Sequence, residues 1–190
     1  GKYNIYNIMA AVACCIANSI PIHNIINSIE RIKSIPGRME FVGNKDKKIF
    51  IDYAHTPDAF ENILSLISEI KNKNNKIMTL FGCGGDRDKS KRSIMAGIVE
   101  EYSNSIIVTS DNPRTESLKN IIKDISQGFS SKKHIIIKNR EEAIIYAIRE
   151  MDKNSILLIL GKGRENYEVV GNIKHNHDDI EIIKRELDES

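Results

Sequence analysis

The 190-residue chain is poor in cysteine and in net charge, with three cysteines and a formal net charge of +2. Cys14 and Cys15 are adjacent in an apolar helical pattern and Cys83 lies among glycines. This is neither a disulfide framework nor a zinc-ligand spacing, and it favours a reducing, cytoplasmic location. The small charge, with no basic stripe interleaved with aromatics, predicts no nucleic-acid binding. Because no apolar run reaches bilayer-spanning length and the N-terminus lacks signal-peptide organisation, no membrane association is expected.

The sequence does contain an alternation of short apolar runs and amphipathic segments. Helices are predicted at 3–18 and 21–34, and Ile35-Pro36-Gly37 then breaks the pattern, which places a domain boundary between 1–36 and 37–190. Beyond it, strands are predicted at 48–51, 76–81, 105–109, 134–137 and 155–160 with an edge strand at 167–170, and helices from Pro57, at 89–101, 117–129 and 141–151, and from Asp178. Continuous apolar strands between amphipathic helices predict an α/β fold with a mostly parallel sheet flanked by helices.

Polar loops follow the carboxyl ends of the predicted strands. In a parallel sheet these ends meet at one edge, where ligands gather, so the loops are expected to line one rim and to bind a small molecule. The five loops are Asp52–Pro57, Gly82–Arg87, Asp111–Arg114, Asn139–Arg140 and Gly161–Glu165.

The turn Asp111-Asn112-Pro113-Arg114 directly follows the strand predicted at 105–109. Asp, Asn and Pro fix the turn, and the arginine at its end offers a planar fork of donors that matches a carboxylate. The turn therefore predicts a carboxylate-binding site.

The loops beginning at Gly82 and Gly161 have two interpretations each. In the loop beginning at Gly82, glycines and a helix N-terminus allow an anion to approach, with Arg87 as the specific contact and Lys89, Lys91 and Arg92 behind it. A tight turn whose basic residues merely face water fits equally well. In the loop beginning at Gly161, Glu165 either holds an ammonium group or is a solvated carboxylate. Arginines for carboxylates together with a glutamate for an amine would suit a free amino acid.

Other polar residues are more ambiguous. His55 lies where it could contact phosphate or act in capping, and Asp52 ends a strand, where a carboxylate binds ribose or fixes a loop. His175 and His177 are expected to be exposed and Asp178 to cap a helix, so no metal site is predicted.

Taken together, the motifs resemble the Mur ligase family, in its diaminopimelate-adding branch. The resemblance runs nearly from end to end of the chain, and the ordered set is specific although each motif alone is weak. The matching segments are Tyr3–Asn7 with Ala10-Ala11, Pro36–Glu40, Asp52–Ala59, Gly82–Arg92, Asp111–Glu116 and Gly161-Lys-Gly-x-Glu165.

The resemblance implies an ATP- and Mg²⁺-dependent amide ligase of peptidoglycan precursor synthesis. In such a ligase ATP phosphorylates the glutamate carboxylate of UDP-N-acetylmuramoyl-L-alanyl-D-glutamate, and the amine of meso-diaminopimelate attacks the acyl phosphate. Residues 1–36 would then be the last helices of the central ATP-binding domain, and residues 37–190 a Rossmann-like C-terminal domain that binds the amino acid.

The same resemblance implies roles for individual residues. The whole turn, Asp111, Asn112, Pro113 and Arg114, would belong to the diaminopimelate site. Within it, the side chains of Asn112 and Arg114 would bind diaminopimelate carboxylates together with Arg87. Gly161, through its backbone, and Glu165 would hold the distal ammonium. The positions expected near ATP are Asn4, Asn7, Arg38, Asp52 and His55. No catalytic or metal-binding residue is expected in this chain.

Two departures from the family pattern matter. The chain has no Gly-x-x-Gly-Lys-Thr loop and no carbamylated-lysine segment, so it is expected to be a fragment that needs the N-terminal and central domains of the ligase and is inactive alone. Arg164 stands where the family usually has histidine, which could weaken the ammonium site. The alternatives are a lysine-adding or folylpolyglutamate-type ligase of the same fold, which Arg114 disfavours, and a non-catalytic Rossmann-like module that binds an amino acid or nucleotide.

Overall fold

The computed structural model describes residues 2–32, 34–131 and 133–189. Its contacts divide the chain into two compact units, residues 1–35 and 36–190. The first unit contains α1 (Lys2–Ala17) and α2 (Ile22–Arg31). The helix predicted over 21–34 ends at Arg31 because Ile32 is extended, and Lys33 lies outside the described residues. In the described ranges, no helix is long and apolar enough to cross a membrane.

The second unit is built on a six-stranded sheet with the order β1-β2-β6-β3-β4-β5. All neighbours in it pair in parallel except β1, which runs antiparallel to β2. The mostly parallel sheet is thus confirmed, whereas the two-residue β1 was not predicted. The strands are β1 (Glu40–Phe41), β2 (Lys48–Asp52), β3 (Lys76–Phe81), β4 (Ser105–Val108), β5 (His134–Ile136) and β6 (Ser155–Leu160).

Helices cover both faces of the sheet, which confirms the α/β class. On one face lie α3 (Pro57–Ile70), α4 (Ser90–Tyr102) and α5 (Leu118–Ser126), and on the other α6 (Arg140–Glu150) and α7 (Asp179–Asp188). Each face has its own buried apolar cluster, because successive strand residues point to opposite sides of the sheet. The central strand β6 is buried at every position.

Helix α3 shows how the local sequence sets the start of an element. Its N-cap Thr56 accepts a hydrogen bond from the Ala59 amide at 3.3 Å, and Pro57 occupies the first helical position. The stripe predicted for this helix is buried against the sheet: Phe60, Ile63, Leu64 and Ile67. The helix therefore begins at the residue where loop 52–57 ends, and this fixes that loop at the sheet edge.

The predicted edge strand at 167–170 does not join the main sheet. Instead, β7 (Tyr167–Val170) pairs with β8 (Ile173–Asn176), a strand that was not predicted, in a separate hairpin. Its turn contains Gly171 with φ 60°. The hairpin instead contacts the turn Asp111–Arg114, where the Arg114 amide donates to Val169 O at 2.9 Å and the Gly171 amide to Arg114 O at 2.7 Å.

Candidate functional site

The loops that follow β2, β6, β3 and β4 enclose a cavity of about 290 Å³. Four of the five predicted loops therefore meet at one rim. The fifth loop, Asn139–Arg140, does not line this cavity; together with Pro113 and Arg114 it lines an adjacent cavity of about 460 Å³. The cavity is lined by Tyr53, His55, Thr56, Gly82, Cys83, Gly84, Arg87, Lys91, Met95, Asp111, Asn112, Arg114, Gly161 and Glu165.

Arg114 is held in place by backbone carbonyls. Its own φ is 52°, and its Nη1 donates to Gly85 O at 2.9 Å and to Asn112 O at 3.3 Å. The loops approach closely here, since a Cβ on Gly85 would lie 1.9 Å from Pro113 O. In the described part of the chain nothing accepts a hydrogen bond from Nε or Nη2, which leaves this edge of the guanidinium for an anion.

Glu165 faces the same cavity and is held at both carboxylate oxygens. Tyr53 donates its hydroxyl to Oε1 at 3.3 Å, and Asn112 donates Nδ2 to Oε2 at 2.9 Å. The orientation of the Asn112 amide follows from its other side, where Oδ1 accepts from Lys162 Nζ at 3.2 Å and from the Val169 amide at 2.8 Å. Asn112 thus positions Glu165, and Glu165 keeps a partly exposed carboxylate that can accept from an ammonium group.

Gly161 joins this site at a point where no side chain fits. Its φ is 115°, and a Cβ would lie 2.5 Å from Asp111 Oδ2. Its amide donates to Asp52 O at 3.0 Å, so the carbonyl is the backbone group left for a ligand.

The basic residues of the loop after β3 divide into two kinds. Arg87 is exposed at the cavity rim with Lys91, and its Nη1 donates to Asp86 O at 3.1 Å. Arg92 is instead fully buried and binds both oxygens of Glu116, at 2.8 and 2.7 Å, and Gly84 O at 3.1 Å. The alternative in which the basic residues of this loop merely face water is therefore wrong for Arg92, which braces the loop, whereas Arg87 is available to a ligand.

Cys83 lines the cavity but is chemically quiet. The thiol is buried, and burial raises its pKa to about 12. Because the thiolate is the nucleophilic form, the raised pKa keeps Cys83 as the unreactive thiol at neutral pH.

A neighbouring cavity of about 340 Å³ contains Arg38 and Arg164. Arg164 does not reach Glu165; its Nε donates to Glu40 Oε2 at 2.8 Å and its Nη2 contacts Glu40 Oε1. This hydrogen-bonded pair holds the pKa of Glu40 below its usual range. The unusual arginine is thus directed at the Pro36–Glu40 segment and away from the Glu165 carboxylate.

The residues expected near ATP are only partly free to bind it. Asp52 is buried and both oxygens accept backbone hydrogen bonds at 2.7 Å, from Met39 and Ala54, so it fixes a loop, and burial raises its pKa. His55 is exposed with Nδ1 2.8 Å from Tyr53 O, and Arg38 is exposed. Asn4 and Asn7 lie on α1 in the first unit, half-buried and exposed respectively.

A buried polar cluster behind the cavity was missed in the sequence. Arg140 and Asp179 form a fully buried pair at 2.7 Å, and the guanidinium also donates to Ser110 O and Leu160 O, both at 3.2 Å. His177, predicted to be exposed, is largely buried, because its ring hydrogen-bonds to the buried Asp179 carboxylate, with Nε2 2.7 Å from Oδ1. No sequence signal separates such an arginine from a solvated one. Asp178 caps α7 as predicted.

Known proteins resemble this chain in sequence over nearly all of its length. A family model described as "Mur ligase, glutamate ligase domain" matches residues 37–163. The UDP-N-acetylmuramoyl-L-alanyl-D-glutamate–2,6-diaminopimelate ligase of Fusobacterium nucleatum is 44% identical over 189 residues, which are 98% of this chain and 39% of that protein. The corresponding ligase 1 of Clostridium acetobutylicum is 40% identical over 192 residues, 100% of this chain and 39% of that protein.

Solved structures give the same result. One described as a UDP-N-acetylmuramoyl-L-alanyl-D-glutamate–2,6-diaminopimelate ligase matches with a TM-score of 0.76 at 32% identity, covering 100% of this chain and 39% of that one. The UDP-N-acetylmuramate–alanine ligase of Thermotoga maritima, at 19% identity and a TM-score of 0.66, shares the fold. The chain spans about 39% of the length of these curated relatives. Because the family model covers well over half of the chain, this chain belongs to the Mur ligase family.

Proposed function

We propose that this chain is the amino-acid-binding portion of an ATP-dependent ligase that adds meso-diaminopimelate to UDP-N-acetylmuramoyl-L-alanyl-D-glutamate. The observation that carries the proposal is a single cavity with the free edge of the Arg114 guanidinium and the carboxylate of Glu165 on its wall. Such a site presents a cation to a carboxylate and an anion to an amine.

The chemistry of this cavity favours diaminopimelate over lysine. Each end of diaminopimelate carries an ammonium and a carboxylate, whereas the distal end of lysine carries only an ammonium. Arg114 and the rim residue Arg87 would pair with carboxylates, and Glu165 with the distal ammonium. Asp111, Asn112 and Pro113 would shape the turn, and the Gly161 carbonyl would accept from the ammonium.

The role of this portion in the reaction would be positioning. It would hold the diaminopimelate amine against an acyl phosphate made elsewhere in the ligase; the amine nitrogen bonds to the acyl carbon and phosphate leaves. Residues 1–36 would be the last helices of the ATP-binding domain and 37–190 the amino-acid-binding domain. Mur ligases are ATP-dependent. Arg38 and His55 would face ATP and Mg²⁺, and Asp52 fixes the segments beside them through the Met39 and Ala54 amides. Asn4 and Asn7, on α1, are also expected near ATP. The reaction would take place in the cytoplasm, where ATP is.

Other parts of the ligase would supply the remaining chemistry. The relatives named as diaminopimelate ligases are more than twice as long as this chain. A phosphate loop upstream would distinguish the ligase from a non-catalytic amino-acid or nucleotide-binding module. Arg114 separates the proposal from the lysine-adding and folylpolyglutamate-type alternatives.

Calorimetric titration of the purified chain with meso-diaminopimelate and with lysine tests the proposal. We expect saturable binding of diaminopimelate and no heat from lysine. Arg114→Ala should weaken the affinity about 100-fold, because it removes a charge-assisted pair. Arg185→Ala is the control, since Arg185 is an exposed arginine on α7 that pairs with Glu141.

Three results would overturn the proposal. The first is equal affinity for lysine and diaminopimelate, and the second is an Arg114→Ala variant that binds as the wild type does. If neither amino acid binds the isolated chain, the chain is fused behind the N-terminal part of the Fusobacterium nucleatum relative. The third result is then failure of that chimera to incorporate labelled diaminopimelate when ATP and UDP-N-acetylmuramoyl-L-alanyl-D-glutamate are supplied.

A further inference from the structure

We propose that Tyr53 is a positioning residue that couples two neighbouring ligand sites: its hydroxyl orients the Glu165 carboxylate toward the amino acid, and its ring seats the Arg38 guanidinium. The role of the Tyr53 hydroxyl toward Glu165 rests on the proposed function, whereas the role of its ring toward Arg38 does not. None of the sequence motifs assigns Tyr53 a role of its own.

Tyr53 stands between two of the cavities of the second unit. Among the described residues, it and Glu165 are the two that line both the cavity of about 290 Å³ that contains Arg114 and the cavity of about 340 Å³ that contains Arg38. The hydrogen bond between them, 3.3 Å from the hydroxyl to Oε1, therefore forms part of the wall that the cavities share.

The hydroxyl side of Tyr53 acts on the amino-acid site. Asn112 already holds Oε2 of Glu165, and the Tyr53 hydroxyl holds Oε1, so both oxygens are hydrogen-bonded and rotation of the carboxylate about its last bond is restrained. Burial first, and the nearby Glu165 charge second, raise the pKa of Tyr53. The phenol thus stays protonated and acts as a donor to the carboxylate.

The ring side of Tyr53 acts on the second cavity. The Arg38 guanidinium carbon lies 5.1 Å from the ring centroid, within the range of a cation–π contact. The ring is itself fixed: the Tyr53 amide donates to Gly37 O at 3.0 Å, and the His55 ring packs edge-on with centroids 4.9 Å apart. Reorientation of Glu165 by an incoming ammonium would be transmitted through Tyr53 to Arg38.

Two substitutions separate the two halves of Tyr53. Tyr53→Phe removes the hydroxyl and keeps the ring, and Tyr53→Leu removes both. Tyr102→Phe is the matched control, because the Tyr102 hydroxyl also donates to a carboxylate, that of Glu61, between α3 and α4.

Titration calorimetry with meso-diaminopimelate and NMR of the Arg38 side chain are then measured on each variant. We expect Tyr53→Phe to weaken diaminopimelate binding about tenfold while the ring-current shift of the Arg38 δ-methylene protons is retained. Tyr53→Leu should weaken binding and also lose the shift, and Tyr102→Phe should change neither. In the wild type, diaminopimelate should move the Arg38 resonances, and in Tyr53→Leu it should not.

Wild-type affinity in Tyr53→Phe would overturn the role of the hydroxyl. Unchanged Arg38 resonances in Tyr53→Leu would overturn the role of the ring. If the wild-type chain fails to bind diaminopimelate and the chimera also fails to incorporate it, the proposed function is overturned, and with it the role of the Tyr53 hydroxyl. The Arg38 resonances decide the other half without any ligand.

Discussion

At the scale of single residues, Arg164 shows that the charge of a side chain matters less than its direction. It precedes Glu165 in sequence, and its fixed positive charge was expected to disturb the ammonium site. The guanidinium instead binds Glu40 with two donors. Its charge is thereby compensated on the other side of the loop. The partners of Glu165 are instead Tyr53, Asn112 and, at 3.9 Å from Oε2, the Lys162 ammonium.

Replacing Arg164 should therefore have little effect on the amino acid. We expect Arg164→Gln to leave diaminopimelate affinity within about twofold of wild type and to lower the free energy of unfolding by less than about 1 kcal/mol, since half-exposed pairs contribute little. Titration calorimetry and urea unfolding measure the two quantities. Glu165→Gln is the contrasting variant and should lose most of the binding. A severalfold gain in affinity in Arg164→Gln would show that the arginine does act on the ammonium site.

The sequence predicted the site residues whose position follows from a strand end. Arg114 and Glu165 come after predicted parallel strands, so their meeting at one rim could be anticipated. Lys162 and Tyr53 adjoin the same strands, but their contribution depends on which way each side chain turns. That direction is set by long-range partners such as Asn112 and Glu165, which the local sequence does not specify.

At the scale of elements, the Arg140–Asp179 pair joins two loops of the site to two helices. Arg140 is the first residue of α6 and Asp179 the first of α7. The Arg140 guanidinium is buried and donates hydrogen bonds to the carbonyls of Ser110 and Leu160. These two residues directly precede Asp111 and Gly161. The spacing of the two loops therefore depends on this pair.

Breaking the pair should destabilise the domain strongly. We expect Arg140→Met to lower the free energy of unfolding by about 3–5 kcal/mol, because it leaves the buried Asp179 carboxylate without its cation. Urea unfolding followed by circular dichroism measures the change.

The control lies on the same two helices. Arg185→Met removes an exposed arginine that pairs with Glu141, and it should leave the free energy of unfolding almost unchanged because solvent screens the pair. Equal losses in the two variants would show that burial of Arg140 carries no energetic weight.

The elements themselves were largely predictable, and the exceptions have a common cause. Strands β3 and β6 have the predicted bounds because their apolar runs are continuous and end in glycine or a polar residue. The hairpin β7–β8 was misassigned because Tyr167–Val170 is only partly buried and its pattern does not specify its partner. Pairing is a property of the folded chain, and a short amphipathic run fits either sheet.

At the scale of the whole molecule, buried ion pairs make stability depend on pH. Hydrogen bonds from Arg92 hold the pKa of Glu116 at about 2, against an ordinary value of 4.5. Burial alone would raise the pKa of Asp179, but the charge of Arg140 and the hydrogen bonds from His177 and Arg140 bring it well below its usual range. Asp52 acts in the opposite direction, because burial raises its pKa.

The sign follows from linkage. A carboxyl whose pKa is depressed in the folded state stabilises the fold above its unfolded pKa, and that contribution is lost as the pH falls through the folded value. For Glu116 the loss should occur between about pH 4.5 and pH 2. We therefore expect the free energy of unfolding to be nearly flat from pH 7 to 5 and to fall steeply below pH 4.5, as measured by urea unfolding at each pH.

Glu116→Gln assigns this slope to one pair. The variant should be less stable by about 3 kcal/mol at pH 7, because Arg92 stays buried with only Asp124 as a charged partner. Its stability should also fall less between pH 4.5 and pH 2, since the group that takes up the proton is gone. If the slope of the variant equals that of the wild type, the acid sensitivity arises elsewhere, and the Arg140–Asp179 pair is the next group to test.

Because Arg92 also binds Gly84 O in the loop that carries Arg87, acid should loosen the amino-acid site together with the fold.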